Sequence, residues 1–237
     1  MGFAGIRAVF FDCGNTLLHL DYPFVARLLA EHRCATTPQG IRLAEYAARA
    51  AIDRELARAR RSDAGTRAPY FGTVLARLKV PPARRGPIIA ALEAHNRERC
   101  LWRVAEPDTP AVLAALRARG FLLGVISNAD GRVEEDLERY GLGAFLATVV
   151  DSHVVGIEKP DAAIFRHAVE RLGARPEDAV HVGDVFGIDV VGARRAGLTP
   201  VLLDRLGRYP GRVDCPRIRR LGGLLRLLPE RAGARIR

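Results

Sequence analysis

Asp12, Ser127, Lys159, Asp184 and Asp189 are the residues whose types and settings could do chemistry together. Asp12 closes the apolar run Ile6 to Phe11 and passes at once into the small-residue turn Cys13-Gly14-Asn15-Thr16. Ser127-Asn128 closes the run Phe121 to Ile126 in the same way, and Gly183-Asp184 closes the run that starts at Ala179. Asp189 follows five residues after Asp184, and Lys159 stands before Pro160 at the head of a helix. A carboxylate can serve as nucleophile or hard metal ligand, and an ammonium is a compact point charge for an anion. Each residue also has an ordinary reading. Asp12 could cap the next element, Ser127-Asn128 is common turn chemistry, and Lys159 could be a solvated lysine at a helix start. What distinguishes them is place, since open α/β sheets bind ligands outside the carboxyl ends of their strands.

The elements that must position these residues alternate between strand and helix. Ile6 to Phe11 has no polar face and reads as a central parallel strand covered on both sides. From about residue 24 to 100 the pattern is helical. Phe24, Leu28, Leu29 and His32 share helical spacing, Pro38 opens a long segment to Arg61, and Tyr70 to Leu78 and Pro82 to Cys100 follow after the turn-rich Ser62 to Pro69. His19 to Pro23 leads out of the core, and Trp102 to Pro107 is the return hinge. A helix over Ala111 to Arg119, stopped by Gly120, precedes the strand Phe121 to Ile126. Helix Arg132 to Tyr140, strand Ala147 to Asp151, helix Ala162 to Leu172, the strand before Gly183, a helix to Gly197 and the strand Thr199 to Leu203 complete the alternation. Arg205 to Arg217 is turn-rich, and Leu221 to Leu228 is a short amphipathic helix. Such alternation predicts a doubly wound parallel sheet with right-handed crossovers.

Composition excludes several classes. The chain has 237 residues, 49% apolar and 27% charged, with no apolar run long enough to span a bilayer. Its start lacks a signal-peptide core, so a cytoplasmic location is expected. Cys13, Cys34, Cys100 and Cys215 form no CxxC pair or finger spacing, which argues for free thiols. The net charge of +10 invites nucleic acid, but the arginines are scattered along every helix, with only small clusters at Arg58 to Arg61 and Arg217 to Arg220. No nucleic-acid or membrane partner is expected. Only two of the 37 basic residues are lysines, Lys79 and Lys159. A chain that uses arginine almost everywhere retains lysine at position 159, where a point charge serves better than a planar fork.

Asp12-Cys13-Gly14-Asn15-Thr16-Leu17 resembles the first motif of the haloacid dehalogenase-like (HAD) hydrolase superfamily, usually Asp-x-Asp-Gly-Thr-Leu. Ser127-Asn128, Lys159-Pro160 and Gly183-Asp184 with Asp189 are similar to its second, third and fourth motifs. The resemblance implies a Rossmann-like core of strand order 5-4-1-2-3 over residues 1–19 and 105–237, with a four-helix cap of the C1 type inserted at 20–104. It implies Asp12 as nucleophile, Thr16 as positioner of its loop, and Ser127, the Asn128 amide and Lys159 as ligands of a transferring phosphoryl group. Mg²⁺ would be held by Asp12, Asp184 and the backbone carbonyl of Gly14, with Asp189 behind them. Gly14 stands where most family phosphatases carry a second Asp as general acid, and His19, Asp130 or a cap residue is a candidate substitute; Lys79 is a weaker one. Tyr22, Tyr70, Phe71, His95 and Trp102 are candidate pocket aromatics. The activity implied is a phosphatase for a small phosphorylated metabolite, in a monomer or homodimer. A 2-haloacid dehalogenase and a low-activity phosphate-ligand binder are the alternatives. The pair Asp184 and Asp189 favours the metal-dependent phosphatase.

Overall fold

A computed structural model describes residues 3–59, 67–209 and 213–230. Arg60, Arg61 and the stretch 62–66 of the expected turn-rich break lie outside the described residues, as do Met1 and Gly2. In chain order the regular elements are β1 (Ala8–Phe11), β2 (Leu18–Leu20), α1 (Tyr22–Glu31), α2 (Pro38–Ala59), α3 (Arg67–Arg77), α4 (Pro82–Glu98), β3 (Trp102–Ala105) and α5 (Thr109–Ala118). There follow β4 (Leu122–Ser127), α6 (Val133–Arg139), β5 (Thr148–Asp151), α7 (Ser152–Val155) and α8 (Ala162–Arg171). The chain continues with β6 (Ala179–Gly183), α9 (Val191–Ala196), β7 (Thr199–Leu203), β8 (Arg217–Ile218) and α10 (Leu224–Leu227).

Six of the strands form one parallel sheet in the order β5-β4-β1-β6-β7-β8. The first five run 3-2-1-4-5 when numbered within the sheet, which is 5-4-1-2-3 read from the other edge. β8 adds a sixth strand beyond β7, pairing Leu202 with Arg217 and Leu203 with Ile218. A two-residue strand leaves no period to read, which is why that segment looks like turn in the sequence. β1 lies between β4 and β6, and its alternate residues are apolar on both faces. Val9 and Phe11 join Leu113, Leu116, Val125 and Val182 on one side. Ala8 and Phe10 join Phe165, Ala168 and Ala193 on the other. Burying an aromatic such as Phe10 or Phe11 contributes about 1.5–3 kcal/mol relative to exposure. The position of Asp12 at the end of β1 is thereby fixed from two sides.

The exit and return of the chain around α1–α4 are not simple linkers. β2 and β3 pair antiparallel, with Leu18 opposite Ala105 and His19 opposite Val104. Helices α1–α4 bury a cluster of their own, including Leu29, Ile41, Phe71, Leu75, Ile88 and Leu92. No helix among the described residues is long and apolar enough to cross a membrane.

His19 on β2 is buried, and burial first, then Arg205, Arg49 and Arg42, hold its imidazole pKa down to about 3 from the usual 6.5. Its carboxylate neighbour, Glu106, stands 3.7 Å away. Between pH 6.5 and about 3 the unfolded chain takes up a proton at His19 that the folded chain refuses. The stability that His19 contributes is therefore complete above pH 6.5 and falls as the pH drops through that window, by about 1.4 kcal/mol per unit for one proton. Urea unfolding at pH 6.5 and pH 5 should show this loss, and His19→Gln should flatten it. An unchanged slope in the variant would assign the acid sensitivity to other groups.

Candidate active site

The end of β1 is tied to the end of β6 by the Asp12 N–H donating to the Val182 carbonyl at 2.8 Å. That continued ladder sets Asp12 beside the loop holding Asp184. Oxygens of Asp12, Asp184 and Asp189 all lie within 4.8 Å of one another. Lys159, only 1% exposed, reaches into this group from the loop before α8. Its Nζ donates to Asp12 Oδ1 at 2.7 Å and to Asp189 Oδ1 at 2.8 Å.

Asn128 explains how a flexible lysine is held there. Its Oδ1 accepts the Lys159 backbone N–H at 2.8 Å, and its Nδ2 donates to the Lys159 carbonyl at 2.9 Å. The side chain of Asn128 therefore clamps the lysine backbone, a role separate from the amide role read in the sequence. Ser127, at the end of β4, is buried beside the same cavity.

Asp189 sits in a π-helical turn, Phe186–Val190. Its Oδ2 accepts the Val185 N–H at 3.0 Å, and its Oδ1 also meets His181 Nε2 at 3.0 Å. A Cβ on Gly183 would fall 2.1 Å from the Asp189 carboxyl carbon, so the glycine of Gly183-Asp184 is required by close approach. His181 was not singled out in the sequence, although one polar residue in the otherwise apolar β6 is a readable signal. Burial lowers its pKa against the pull of Asp189, and it packs edge-on against Phe165.

The electrostatics follow from this burial. Desolvation raises the Asp12 pKa, against the pull of the Lys159 ammonium. The same two effects act on Asp189, where burial opposes ionisation but Lys159 and His181 win and lower its pKa. Lys159 is pushed upward by its two carboxylates despite its own burial. The net arrangement is a buried ammonium shared by one firmly ionised carboxylate and one less so.

Above these groups lies a cavity of about 210 Å³. Asp12, Gly14, Ser127, Asn128, Lys159, Asp184 and Asp189 all line it. Thr16 does not; it is fully buried beneath the loop, with its carbonyl accepting from Arg205 Nη2 at 2.9 Å. The helical segment contributes Arg49, Ile52, Tyr70 and Asn96, with Cys100 and Trp102 beside them. Of the candidate pocket aromatics, Tyr70 and Trp102 line the cavity. Tyr22 instead donates to Glu45, Phe71 belongs to the helical cluster, and His95 stacks on Phe24. Of the candidate acids, Asp130 lines the cavity, paired with Arg132, whereas His19 and Lys79 do not line it.

Arg49 and Glu45 were not anticipated. Glu45, fully buried, accepts from Tyr70 OH at 2.6 Å and from Tyr22 OH at 3.2 Å, and pairs with Arg49 Nε at 2.7 Å. Arg49 then crosses to Asp184. On the same face of α2, Tyr46 bonds Asp204 and Asp53 accepts the Gly187 N–H at 2.6 Å. The i, i+4 pair Glu45 and Arg49 was visible in the sequence, but it reads there as an ordinary solvent pair.

Residues 6–197 match the family model described as a haloacid dehalogenase-like hydrolase. The chain is 36% identical over 141 residues to the glyceraldehyde 3-phosphate phosphatase of Methanopyrus kandleri, covering 59% of this chain and 60% of that protein. It spans about half the length of the curated relatives it matches. Among solved structures, a HAD phosphatase from Thermococcus onnurineus superposes with a TM-score of 0.61 at 24% identity, covering 95% of this chain and 99% of that one. A 2-haloacid dehalogenase from Pseudomonas syringae does so with 0.57 at 24% identity, covering 94% and 98%. Fold likeness therefore does not separate the two chemistries.

Proposed function

The chain belongs to the haloacid dehalogenase-like hydrolase family, and from that membership we propose that it is a Mg²⁺-dependent phosphatase acting on a small phosphomonoester through Asp12. The observation that carries the reading is the buried Lys159 shared between Asp12 and Asp189, with a third carboxylate, Asp184, within 4.8 Å. Residues 20–104 act as a cap of the C1 type over a core of residues 1–19 and 105–237.

Three carboxylates form an all-oxygen donor set suited to a hard cation. Following the resemblance, Asp12, Asp184 and the Gly14 carbonyl are the groups that would hold Mg²⁺, with Arg49 giving up Asp184, while Lys159, His181 and the Val185 N–H hold Asp189 behind them. Bound there, the ion screens the repulsion between the Asp12 carboxylate and a phosphate dianion. Lys159 takes up Oδ1 of Asp12, which leaves Oδ2 for attack on phosphorus. The phosphorus–oxygen ester bond breaks, an aspartyl-phosphate forms on Asp12, and water then hydrolyses it to phosphate. Lys159, the Ser127 hydroxyl and the Asn128 amide stabilise charge on the phosphoryl oxygens. Thr16 holds the Asp12 loop from beneath.

The relative from Methanopyrus kandleri supports a substrate of this kind, a small phosphorylated metabolite. The test is phosphate release from a panel of aryl, acyl and alkyl phosphates with Mg²⁺ and with chelator, run beside chloride release from 2-haloacids. Turnover of phosphates that stops with chelator is expected. Metal-independent halide release would replace this reading with the dehalogenase, and ligand binding without turnover would replace it with the binder.

A further inference from the structure

Gly14 has ordinary backbone geometry and lines the cavity two residues after Asp12, so the space its side chain would enter belongs to the reaction site. Trp102 borders that space at ordinary contact distance. A Cβ on Gly14 would lie 3.6 Å from Trp102 Cδ1 and 3.7 Å from Trp102 Nε1. The indole edge that carries the N–H is therefore the edge lying against residue 14. Trp102 opens β3, and the pairing of β3 with β2 brings it to this place. Its ring is steadied by Tyr70 at 5.8 Å and Phe71 at 6.0 Å between centroids. Its Nε1 is buried and has no hydrogen-bond partner. Buried donors are nearly always satisfied, and an unpaired one on a residue that lines a ligand cavity leaves a hydrogen bond for a ligand to complete.

We propose that the Trp102 indole N–H donates to the leaving-group oxygen of the substrate and thereby selects phosphates whose leaving groups depart as stable anions: aryl, enol and acyl phosphates. The assignment rests on the phosphatase reading above. An Asp12 carboxylate oxygen forms the new bond to phosphorus, the bond from phosphorus to the leaving oxygen breaks, and its electron pair stays on that oxygen. An indole nitrogen is a donor only and keeps its proton. The leaving group is hydrogen-bonded but not protonated, and it departs as a phenolate, enolate or carboxylate. A carboxylic acid in the same place would give up its proton and permit alkoxide-type leaving groups. Trp102 thus acts as a catalytic residue that narrows the substrate class.

Trp102 is the one tryptophan of the chain, so its signals are unambiguous. In ¹⁵N-labelled wild-type protein with Mg²⁺, orthovanadate bound at Asp12 offers an oxygen in the leaving-group position. The indole N–H resonance is expected to move downfield on vanadate addition and to exchange more slowly with solvent, with no such change for Mg²⁺ alone. Trp102→Phe keeps the ring and loses the donor. It should lower kcat/KM for aryl phosphates about tenfold, as expected for one lost hydrogen bond in the transition state, and steepen the dependence of log kcat/KM on leaving-group pKa. An indole resonance unmoved by vanadate that does inhibit turnover rejects the assignment, as does a variant with the wild-type slope. Wild-type protein that neither turns over aryl phosphates nor binds vanadate rejects the phosphatase reading and this one with it.

Discussion

On the phosphatase reading proposed above, Asp12→Asn is expected to lower phosphate release by on the order of 10³-fold or more while leaving the protein folded. The amide keeps the shape of the carboxyl and its place at the end of β1, where the backbone N–H is bonded to Val182 and the side chain is 8% exposed. It lacks the anionic, nucleophilic oxygen that would form the bond to phosphorus. The structural cost is small for a physical reason. Desolvation already raises the Asp12 pKa, so the folded protein holds this charge less well than water does. Lys159 keeps its second carboxylate, Asp189, at 2.8 Å. Urea unfolding of the variant should fall within about 1 kcal/mol of wild type, since a shape-conserving change that removes a poorly solvated charge relieves as much as it loses. The decisive pair of measurements is steady-state phosphate release and acid-quench trapping of a phosphoprotein. Residual turnover of a few per cent in well-folded Asn variant would remove Asp12 as nucleophile and point to direct attack by water.

The strand ends were legible because each is a change of period. An apolar run stops at Asp12, at Ser127 and, interrupted only by His181, at Asp184, and the structure brings these three around one cavity. Lys159 was legible by contrast with a chain that otherwise uses arginine. The partners that hold these groups were not legible, because they depend on docking rather than on local pattern. Glu45 and Arg49 look like a solvent-facing helical pair until α2 lands on the loop of Asp184. Trp102 was a candidate pocket aromatic and does line the cavity, but its place against Gly14 could be read only once β3 pairs with β2. The structure places the candidate acids His19 and Lys79 away from the cavity lining for the same reason in reverse. Both are reactive types near suggestive sequence, yet neither lines the cavity. A strand of three residues, such as β2, offers too little alternation for its partner to be inferred.

Lys159→Met should cost both stability and activity, and the two losses have different origins. The ammonium is 1% exposed and stands between Asp12 and Asp189 at 2.7 and 2.8 Å. Methionine fills much of the same channel but leaves two buried carboxylates facing each other, with Asp184 close by. Breaking a buried pair by removing one partner typically costs about 3–5 kcal/mol, because the remaining charge is uncompensated. Part of that cost is relieved if Asp12, whose pKa burial already raises, takes up a proton. The stability deficit should therefore be smaller near pH 4 than at pH 8, which urea unfolding at the two values can read. Turnover should fall on the order of 10²- to 10³-fold, since a preorganised charge on the phosphoryl oxygens is lost. Lys159→Arg should not restore it, because a planar fork cannot place one nitrogen between two carboxylates in a channel sized for an ammonium. A Met variant that is destabilised but turns over normally would reduce Lys159 to a structural ion pair. A loss of both, uneven between Met and Arg, ties the same ammonium to the fold and to the chemistry.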